Sequence, residues 1–247
     1  DIVSDSIMLY DAADGKRILS IPNPDQSFAF GSVLDISDGI LVANSALTYD
    51  LGIGAVYAYD LETGALINRF INEGDFLTQN FGFAVSTSQG KILYSDITRE
   101  EVYLRDPFDG DILQNFSIDS DVSETRFGWS IDLLGNEILI GAQNLGAAFL
   151  YDALTGDLMQ DFFGADMPSV FGGPGFGSAV ALSQAGLAIS EPFADRGEHG
   201  SGLVNLYERS AVPVSEPGTA TLLVFGAIGI WICCRRGGSM ARLGQEP

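Results

Sequence analysis

Few residues of this chain could carry chemistry. His199 is the sole imidazole, and both sulfurs, Cys233 and Cys234, sit side by side in an apolar stretch near the C-terminus. Multi-histidine metal sites and zinc–thiolate clusters therefore cannot be assembled. A Ser or Cys nucleophile would need His199 as its base, and Glu198-His199 is the one place where an acid adjoins it. What remains is carboxylate chemistry. Glu100-Glu101 and Asp119 with Asp121 supply the two acids that glycoside hydrolysis requires, provided one has a raised pKa. No signature surrounds these pairs, and they fall in or beside turn-like segments. They read as solvated loop acids, and no catalytic residue is assigned.

Two acidic segments invite comparison with calcium loops, DISDGI from Asp35 to Ile40 and DPFDGD from Asp106 to Asp111. Ca²⁺ needs several oxygens from a short, sharply turned segment. These segments bring two and three carboxylates, spaced differently from a D-x-D-x-D-G loop, so calcium is unsupported and no cofactor is expected. Aspartates of this kind more often hold the backbone N–H groups of a hairpin turn.

The elements that must position these groups are legible as a repeat. Phe-Gly recurs at Phe30-Gly31, Phe81-Gly82, Phe127-Gly128 and Phe176-Gly177, at spacings of 51, 46 and 49 residues. A second marker keeps step with it: YDAADGK from Tyr10, YDLETGA from Tyr59, RDPFDGD from Arg105 and YDALTGD from Tyr151, with a truncated copy ending at Tyr207-Glu208. Between the markers, apolar residues alternate over short segments rich in β-branched and aromatic residues, a strand pattern rather than a helical one. The unit FGWSIDL, EILIGA, AAFLYD, DLMQDFF reads as four antiparallel strands. Over the whole chain the count is two strands, three sets of four, and a final three.

In each second marker an aspartate (Asp11, Asp60, Asp106, Asp152) precedes a glycine (Gly15, Gly64, Gly110, Gly156) by four residues. The glycine can take the positive φ that closes a short hairpin, and the constant spacing predicts one turn geometry used four times. Four-stranded sheets repeating every 45 to 50 residues cannot cover both of their faces alone, and radial stacking of blades solves this. The expected fold is an all-β β-propeller of about four blades over residues 1–209. The Phe of each Phe-Gly pair is expected between blades, its Gly allowing close backbone approach.

These units resemble the FG-GAP repeats of bacterial surface proteins, relatives of the blades in integrin α-subunit propellers. FGSVLDISDGILVANS followed by GAVYAYDLETG carries the likeness, as does FGWSIDLLGNEILIGAQ followed by GAAFLYDALTG. The family's Gly-Ala-Pro element reads VANS, LYSD, IGAQ and ISEP here. A quinoprotein-type propeller is the competing resemblance. Its repeats place Trp after the Thr-Gly turn, where this chain has Ile18, Ile67, Leu113 and Met159.

Composition changes abruptly after Arg209. Residues 210–218 form a linker containing Ser215-Glu216-Pro217, residues 219–234 are a run without charge, and residues 235–247 form a basic tail that opens with Arg235-Arg236. At 1.5 Å per residue a helix over 219–234 would span about 24 Å, short of a bilayer core of about 30 Å unless the flanking residues contribute. Positive charge directly after the run predicts a cytoplasmic C-terminus and an external body. The arrangement resembles a PEP-CTERM sorting signal. That resemblance implies an exosortase-like processing protease as a partner, anchorage in the bacterial envelope, and release to the cell surface or extracellular matrix.

The chain carries 12 Lys+Arg against 33 Asp+Glu, for a net charge of −21. Nine of the basic and 31 of the acidic residues precede position 214. So acidic a body repels phosphate backbones and disfavours nucleic-acid partners. The function these features lead to is a non-enzymatic surface protein whose propeller binds a protein or polysaccharide, with a carboxylate-dependent extracellular hydrolase or quinoprotein-type propeller as the alternative. Because the sequence starts at Asp1 and opens with SIMLYDAADGK in mid-blade, two expectations follow. Either upstream blades and a secretory signal are absent from it, or its first and last strands close a small ring.

Overall fold

Strict alternation of apolar residues, interrupted by Asp-Gly and Gln-Gly turns, leaves the backbone little choice but antiparallel hairpins. The computed structural model describes residues 6–27, 29–45, 54–72, 80–120, 122, 124–164, 175–194 and 202–209. By internal packing the chain divides into Asp1–Arg209 and Ser210–Pro247. All described residues belong to the first unit. The linker, the apolar run 219–234 and the basic tail lie outside them, as do Ser215, Glu216, Pro217, Arg235 and Arg236. No helix among the described residues is long and apolar enough to cross a membrane.

The described residues form an all-β structure of seventeen strands. The first sheet pairs β1 (Ser6–Tyr10) with β2 (Arg17–Pro22). Three four-stranded sheets follow: β3 (Leu34–Ser37) to β6 (Leu66–Ile71) through β4 (Ile40–Ser45) and β5 (Ala55–Asp60); β7 (Phe81–Ser88), β8 (Lys91–Asp96), β9 (Glu101–Arg105) and β10 (Ile112–Ser117); and β11 (Phe127–Leu134), β12 (Glu137–Ala142), β13 (Ala147–Asp152) and β14 (Leu158–Phe163). The fifth sheet holds β15 (Val180–Leu182), β16 (Gly186–Glu191) and β17 (Leu203–Glu208). Every neighbouring pair is antiparallel and consecutive in sequence.

The aspartate–glycine turn has the same geometry in all four copies. Gly15, Gly64, Gly110 and Gly156 each have φ between 70° and 81° and donate their N–H to the carbonyl of the aspartate four residues earlier. The aspartate carboxylates accept from backbone N–H groups inside the turn: Asp11 from Ala13, Asp60 from Thr63, Asp106 from Phe108, and Asp152 from Leu154 and Thr155. Next to each turn the pairing register slips once, at Leu9/Tyr10, Ala58/Tyr59, Ile112/Gln114 and Leu150/Tyr151. The turn imposes a β-bulge at one fixed place in each repeat.

Successive sheets pack face to face, and each of the four contacts between them has its own apolar cluster. Ile7, Leu19 and Ile21 meet Leu41, Tyr57 and Tyr59. Val42, Val56, Ala58 and Phe70 meet Phe81, Val85, Ile92 and Tyr94. Leu93, Val102, Leu104 and Phe116 meet Phe127, Ile138, Ile140, Phe149 and Tyr151. Leu139, Ala148, Leu150 and Phe162 meet Phe176 and Ile189. No single sheet has a private core; each interior exists only where two sheets meet, the energetics of a stacked repeat.

Candidate functional site

The Phe-Gly pairs sit where one sheet meets the next. Phe81, Phe127 and Phe176 are buried, and Phe30 packs edge-on against Tyr57 and Tyr59. All four glycines have positive φ, between 71° and 85°. A Cβ on Gly82 would lie 2.5 Å from Val56 Cγ2, one on Gly128 2.8 Å from Ser95 Cβ, and one on Gly177 2.3 Å from the Ala147 carbonyl oxygen, all atoms of the preceding sheet. Conformation and close approach together leave room for glycine alone.

In the first and last units the pair lies in a turn rather than in a strand. The turns are closed by Ser32 N–H donating to the Ala29 carbonyl and Ser178 N–H to that of Gly175, so β3 and β15 begin only at Leu34 and Val180. In three of the four units the backbone just after the pair is held by a polar side chain from the second strand. Asn44 Oδ1 accepts from Val33 N–H at 2.9 Å, Ser95 Oγ from Ala84 N–H at 3.1 Å, and Ser190 Oγ from Ala179 N–H at 2.8 Å. Those three residues stand fourteen positions after their Phe, inside the segments VANS, LYSD and ISEP. In the third full unit Gly141 takes that place, where a Cβ would lie 2.4 Å from Ser130 Oγ, and Ser130 Oγ instead donates to the Gly177 carbonyl at 2.8 Å. Variation in the Gly-Ala-Pro element thus exchanges one backbone-holding device for another.

Five residues past each Phe stand Asp35, Ser86, Asp132 and Ala181, on the first strand of each sheet. Asp35 Oδ2 accepts from Thr87 N–H at 2.8 Å, Ser86 Oγ from Leu133 N–H at 3.2 Å, and Asp132 Oδ2 from Leu182 N–H at 2.6 Å. Each bond crosses to the following sheet. Ser86 Oγ also lies 3.1 Å from Asp35 Oδ2 and 3.4 Å from Asp132 Oδ1, so one hydroxyl stands between two carboxylates. Burial raises the Asp132 carboxyl above the usual carboxylate range, with the Asp35 charge adding to it and the hydrogen bonds from Leu182 and Leu133 opposing. The sequence pattern puts Asp35 in a hairpin-turn segment; its carboxylate instead reaches across to the neighbouring sheet. What could have revealed the row is its fixed offset from Phe, obscured by the mixture of Asp, Ser and Ala.

The remaining acids named from the sequence are scattered. Glu100 Oε1 accepts from Thr125 Oγ1 at 2.8 Å and Arg126 N–H at 2.9 Å, and Glu101 accepts from the Tyr103 hydroxyl. The two are therefore engaged separately. Asp121, Glu198 and His199 lie outside the described residues. A third acid, Asp96, is fully buried. It accepts from Asn72 Nδ2 at 3.2 Å and from the N–H groups of Thr98 and Arg99, and burial raises its carboxyl. Among the described residues, no group of three His, Cys, Asp or Glu side chains is arranged to hold a metal ion.

The two ends of the sheets differ. At one end the strands are joined by tight turns: Asp38-Gly39, Gln89-Gly90, Gly135-Asn136 and the four aspartate–glycine turns. At the other end lie the strand ends that flank all the long connections, 23–33, 46–54, 72–80, 118–126, 164–179 and 192–202, and those that flank the shorter 97–100 and 143–146. Antiparallel order alone puts them together, because connections alternate between ends. At that end Trp129 is half-buried, its ring 4.7 Å from Phe83 of the preceding sheet and 4.5 Å from the Arg126 guanidinium. Arg126 is exposed, and its Nη1 donates to Gln143 Oε1 at 2.9 Å. Gln143 Nε2 in turn donates to Ser178 Oγ at 3.0 Å. This cluster joins three sheets and holds a guanidinium in place with donors to spare, suited to an oxygen acceptor on a ligand. Phe83 and Trp129 both stand two residues past their Phe, an aromatic repeat that lies outside the two sequence markers.

No family model matches the chain, and no curated protein sequence matches it. Among solved structures it is similar to the computationally designed Ika8 protein, which is propeller-like, at 17% identity and a TM-score of 0.52 over 81% of this chain and 51% of that one. It is also similar to BamB from Moraxella catarrhalis, at 14% identity and a TM-score of 0.46 over 71% of this chain and 42% of that one. The chain spans about half the length of the solved structures it matches. Together with the face-to-face packing of four-stranded antiparallel sheets, the likeness to the designed protein establishes a β-propeller-like, all-β fold.

Proposed function

We propose that this chain is a non-enzymatic surface or matrix protein of the FG-GAP type, which binds a protein or polysaccharide through the loop end of its sheets. The observation that carries the reading is the division of labour between the two ends. The turn end spends its aspartates on backbone N–H groups, while every long connection, together with the Arg126–Trp129 cluster, gathers at the other. Variable connections on a rigid scaffold are where specificity resides. Glycan and protein arrays probed with the full chain in mild detergent test it. The expected result is a discrete ligand set lost in Arg126→Ala and Trp129→Ala. Robust hydrolysis of array glycans with no retained ligand would overturn the reading in favour of a carboxylate-dependent hydrolase, for which the Asp35–Ser86–Asp132 row is the place to look.

The same proposal assigns residues 210–247 to sorting. A PEP-CTERM-like tail holds the precursor in the inner membrane with its body outside, and an exosortase-like protease then cuts near Glu216-Pro217, releasing the acidic body to the surface or matrix. Replacing Arg235 and Arg236 with Glu should impair orientation by removing the positive-inside signal. Replacing Glu216 and Pro217 with Ala should stop tail removal, read as a mass difference on immunoblots. Loss of the tail at the wild-type rate in that second variant refutes the sorting assignment.

A further inference from the structure

Strained backbone gathers at one point of the loop end. Glu100, Glu124 and Arg126 have φ of 57°, 57° and 56°, in the left-handed region that a residue with a side chain keeps only where its surroundings enforce it. Here they do so from two sides. Glu100, in the connection between β8 and β9, accepts through Oε1 from Arg126 N–H at 2.9 Å and from Thr125 Oγ1 at 2.8 Å. From the connection between β12 and β13, the N–H groups of Asn144 and Leu145 donate to the Thr125 carbonyl at 3.1 and 3.3 Å, and Asn144 Nδ2 donates to the Glu124 carbonyl at 2.8 Å. Thr125 itself is fully buried. The third and fourth sheets thus grip residues 124–126 between them.

What the grip presents is the Arg126 side chain. It is exposed, its guanidinium lies 4.5 Å from the Trp129 ring, and Nη1 donates to Gln143 Oε1. The half-buried rings of Trp129 and Phe83 lie beside it, 4.7 Å apart. A few fixed polar groups next to aromatic surface are the composition of a small-ligand site. Holding the donor in place beforehand lowers the ordering cost of binding.

We propose that Arg126 is the donor for the hydroxyl oxygens of an uncharged polysaccharide, with Glu100 and Thr125 as its positioning residues. The proposal rests on the reading that the loop end binds a ligand, and it names the class of that ligand. A sugar ring has the two surfaces that this cluster matches, a rim of hydroxyl oxygens for the guanidinium and a C–H face for the rings. Charge selects among sugars. Glu100 and the exposed Glu124 flank Arg126, and the chain as a whole carries −21. A uronate or sulfated polymer is therefore repelled both locally and at long range, whereas a neutral one is not.

Trp129 reports on the site directly, because the chain has one other tryptophan, Trp231. In the full chain carrying Trp231→Phe, held in a polyoxyethylene detergent, indole emission is followed as cellohexaose, maltohexaose, mannohexaose, chitohexaose or hexagalacturonate is added. At least one uncharged hexasaccharide should change the emission saturably, and hexagalacturonate should not. Arg126→Ala should weaken that binding about tenfold or more, the worth of a charge-assisted hydrogen bond. Glu100→Ala should weaken it too, and Glu100→Gln, which keeps the accepting oxygen, should restore it. A residue that only supported the fold would lower the unfolding temperature and leave the affinity of the folded chain unmoved. The proposal is overturned by no response to any uncharged hexasaccharide, by a response to hexagalacturonate alone, or by an affinity that Arg126→Ala leaves unchanged. If the arrays then return a protein ligand lost in Arg126→Ala, the loop-end reading stands and the polysaccharide assignment alone falls. If they return no ligand, both fall.

Discussion

Asp132 Oδ2 accepts the backbone N–H of Leu182 at 2.6 Å, across the boundary between the fourth and fifth sheets. Asp35 stands in the same relation to Thr87, and Ser86 to Leu133. The first strands of adjacent sheets are thus fastened side chain to backbone, while the apolar clusters hold the rest of each face. Truncating the acceptor leaves a half-buried N–H without its partner, which costs about 1–3 kcal/mol. Asp132→Ala and Asp35→Ala should each lower stability by about that much in urea unfolding, and Ser86→Ala by less, a hydroxyl being the weaker acceptor. An unchanged midpoint in Asp132→Ala would refute the fastening role.

Glycines of the two repeat markers share positive φ but differ in surroundings, which separates two costs. At Gly15 an added Cβ meets nothing within 4 Å, whereas at Gly82 it meets Val56 Cγ2 at 2.5 Å and the Ala55 carbonyl oxygen at 3.3 Å. Gly15→Ala should therefore cost about 1–2 kcal/mol for the left-handed backbone alone. Gly82→Ala should cost about 1–3 kcal/mol more, because the second sheet must move to admit the methyl group. Equal losses in denaturant unfolding would mean that the sheets are not in close contact at Gly82.

The carboxylates divide by environment, with opposite consequences at acid pH. Hydrogen bonds from Thr63 hold Asp60 below its ordinary value, and those from Thr155 and Leu154 do the same for Asp152. Burial holds Asp96 and Asp132 above it. The two turn aspartates contribute stability that is present above about pH 4 and lost as pH falls through their lowered values. The two buried ones favour the folded state most when protonated, and their contribution declines as pH rises from about 4 through their raised values. Carbon-13 NMR titration should find Asp60 and Asp152 below 3.8, and Asp96 and Asp132 above it. A reversed order would contradict the environments described.

Periodicity made the strands legible, because alternation and turn residues are local. In the third full repeat, the strand limits expected from EILIGA and AAFLYD coincide with β12 and β13. The aspartate–glycine turn was equally readable, since both its residues act within five positions of each other. What escaped is what acts between sheets. Asp35 bonds a residue 52 positions away, and nothing near it in sequence distinguishes it from the acids of a loop. The Phe30 and Phe176 segments looked like strand starts, but their backbones are turned and tied to Asn44 and Ser190. The contact of Trp129 with Phe83 escaped for the same reason, its two rings meeting only when two sheets stack.

Burial of tyrosines between sheets makes alkaline pH the most direct probe of that stacking. Desolvation pushes Tyr57, Tyr103 and Tyr151 up to about 12, with Asp25 and Glu101 adding to it at Tyr57 and Tyr103. Tyr59 and Tyr94 are driven up further, also by burial first. The folded chain therefore keeps these protons at pH values where the unfolded chain, with ordinary tyrosines near 10, releases them. Their stabilising contribution is complete below about pH 10 and declines as pH rises toward the folded values. Urea midpoints should fall between pH 9 and 11, while tyrosinate absorbance in the native protein lags behind that of the urea-unfolded chain. Tyr151→Phe removes one such group at the contact between the third and fourth sheets and should flatten the decline in stability above pH 10. A native chain whose tyrosines all ionise near pH 10 would show that the sheets do not exclude water as the packing requires.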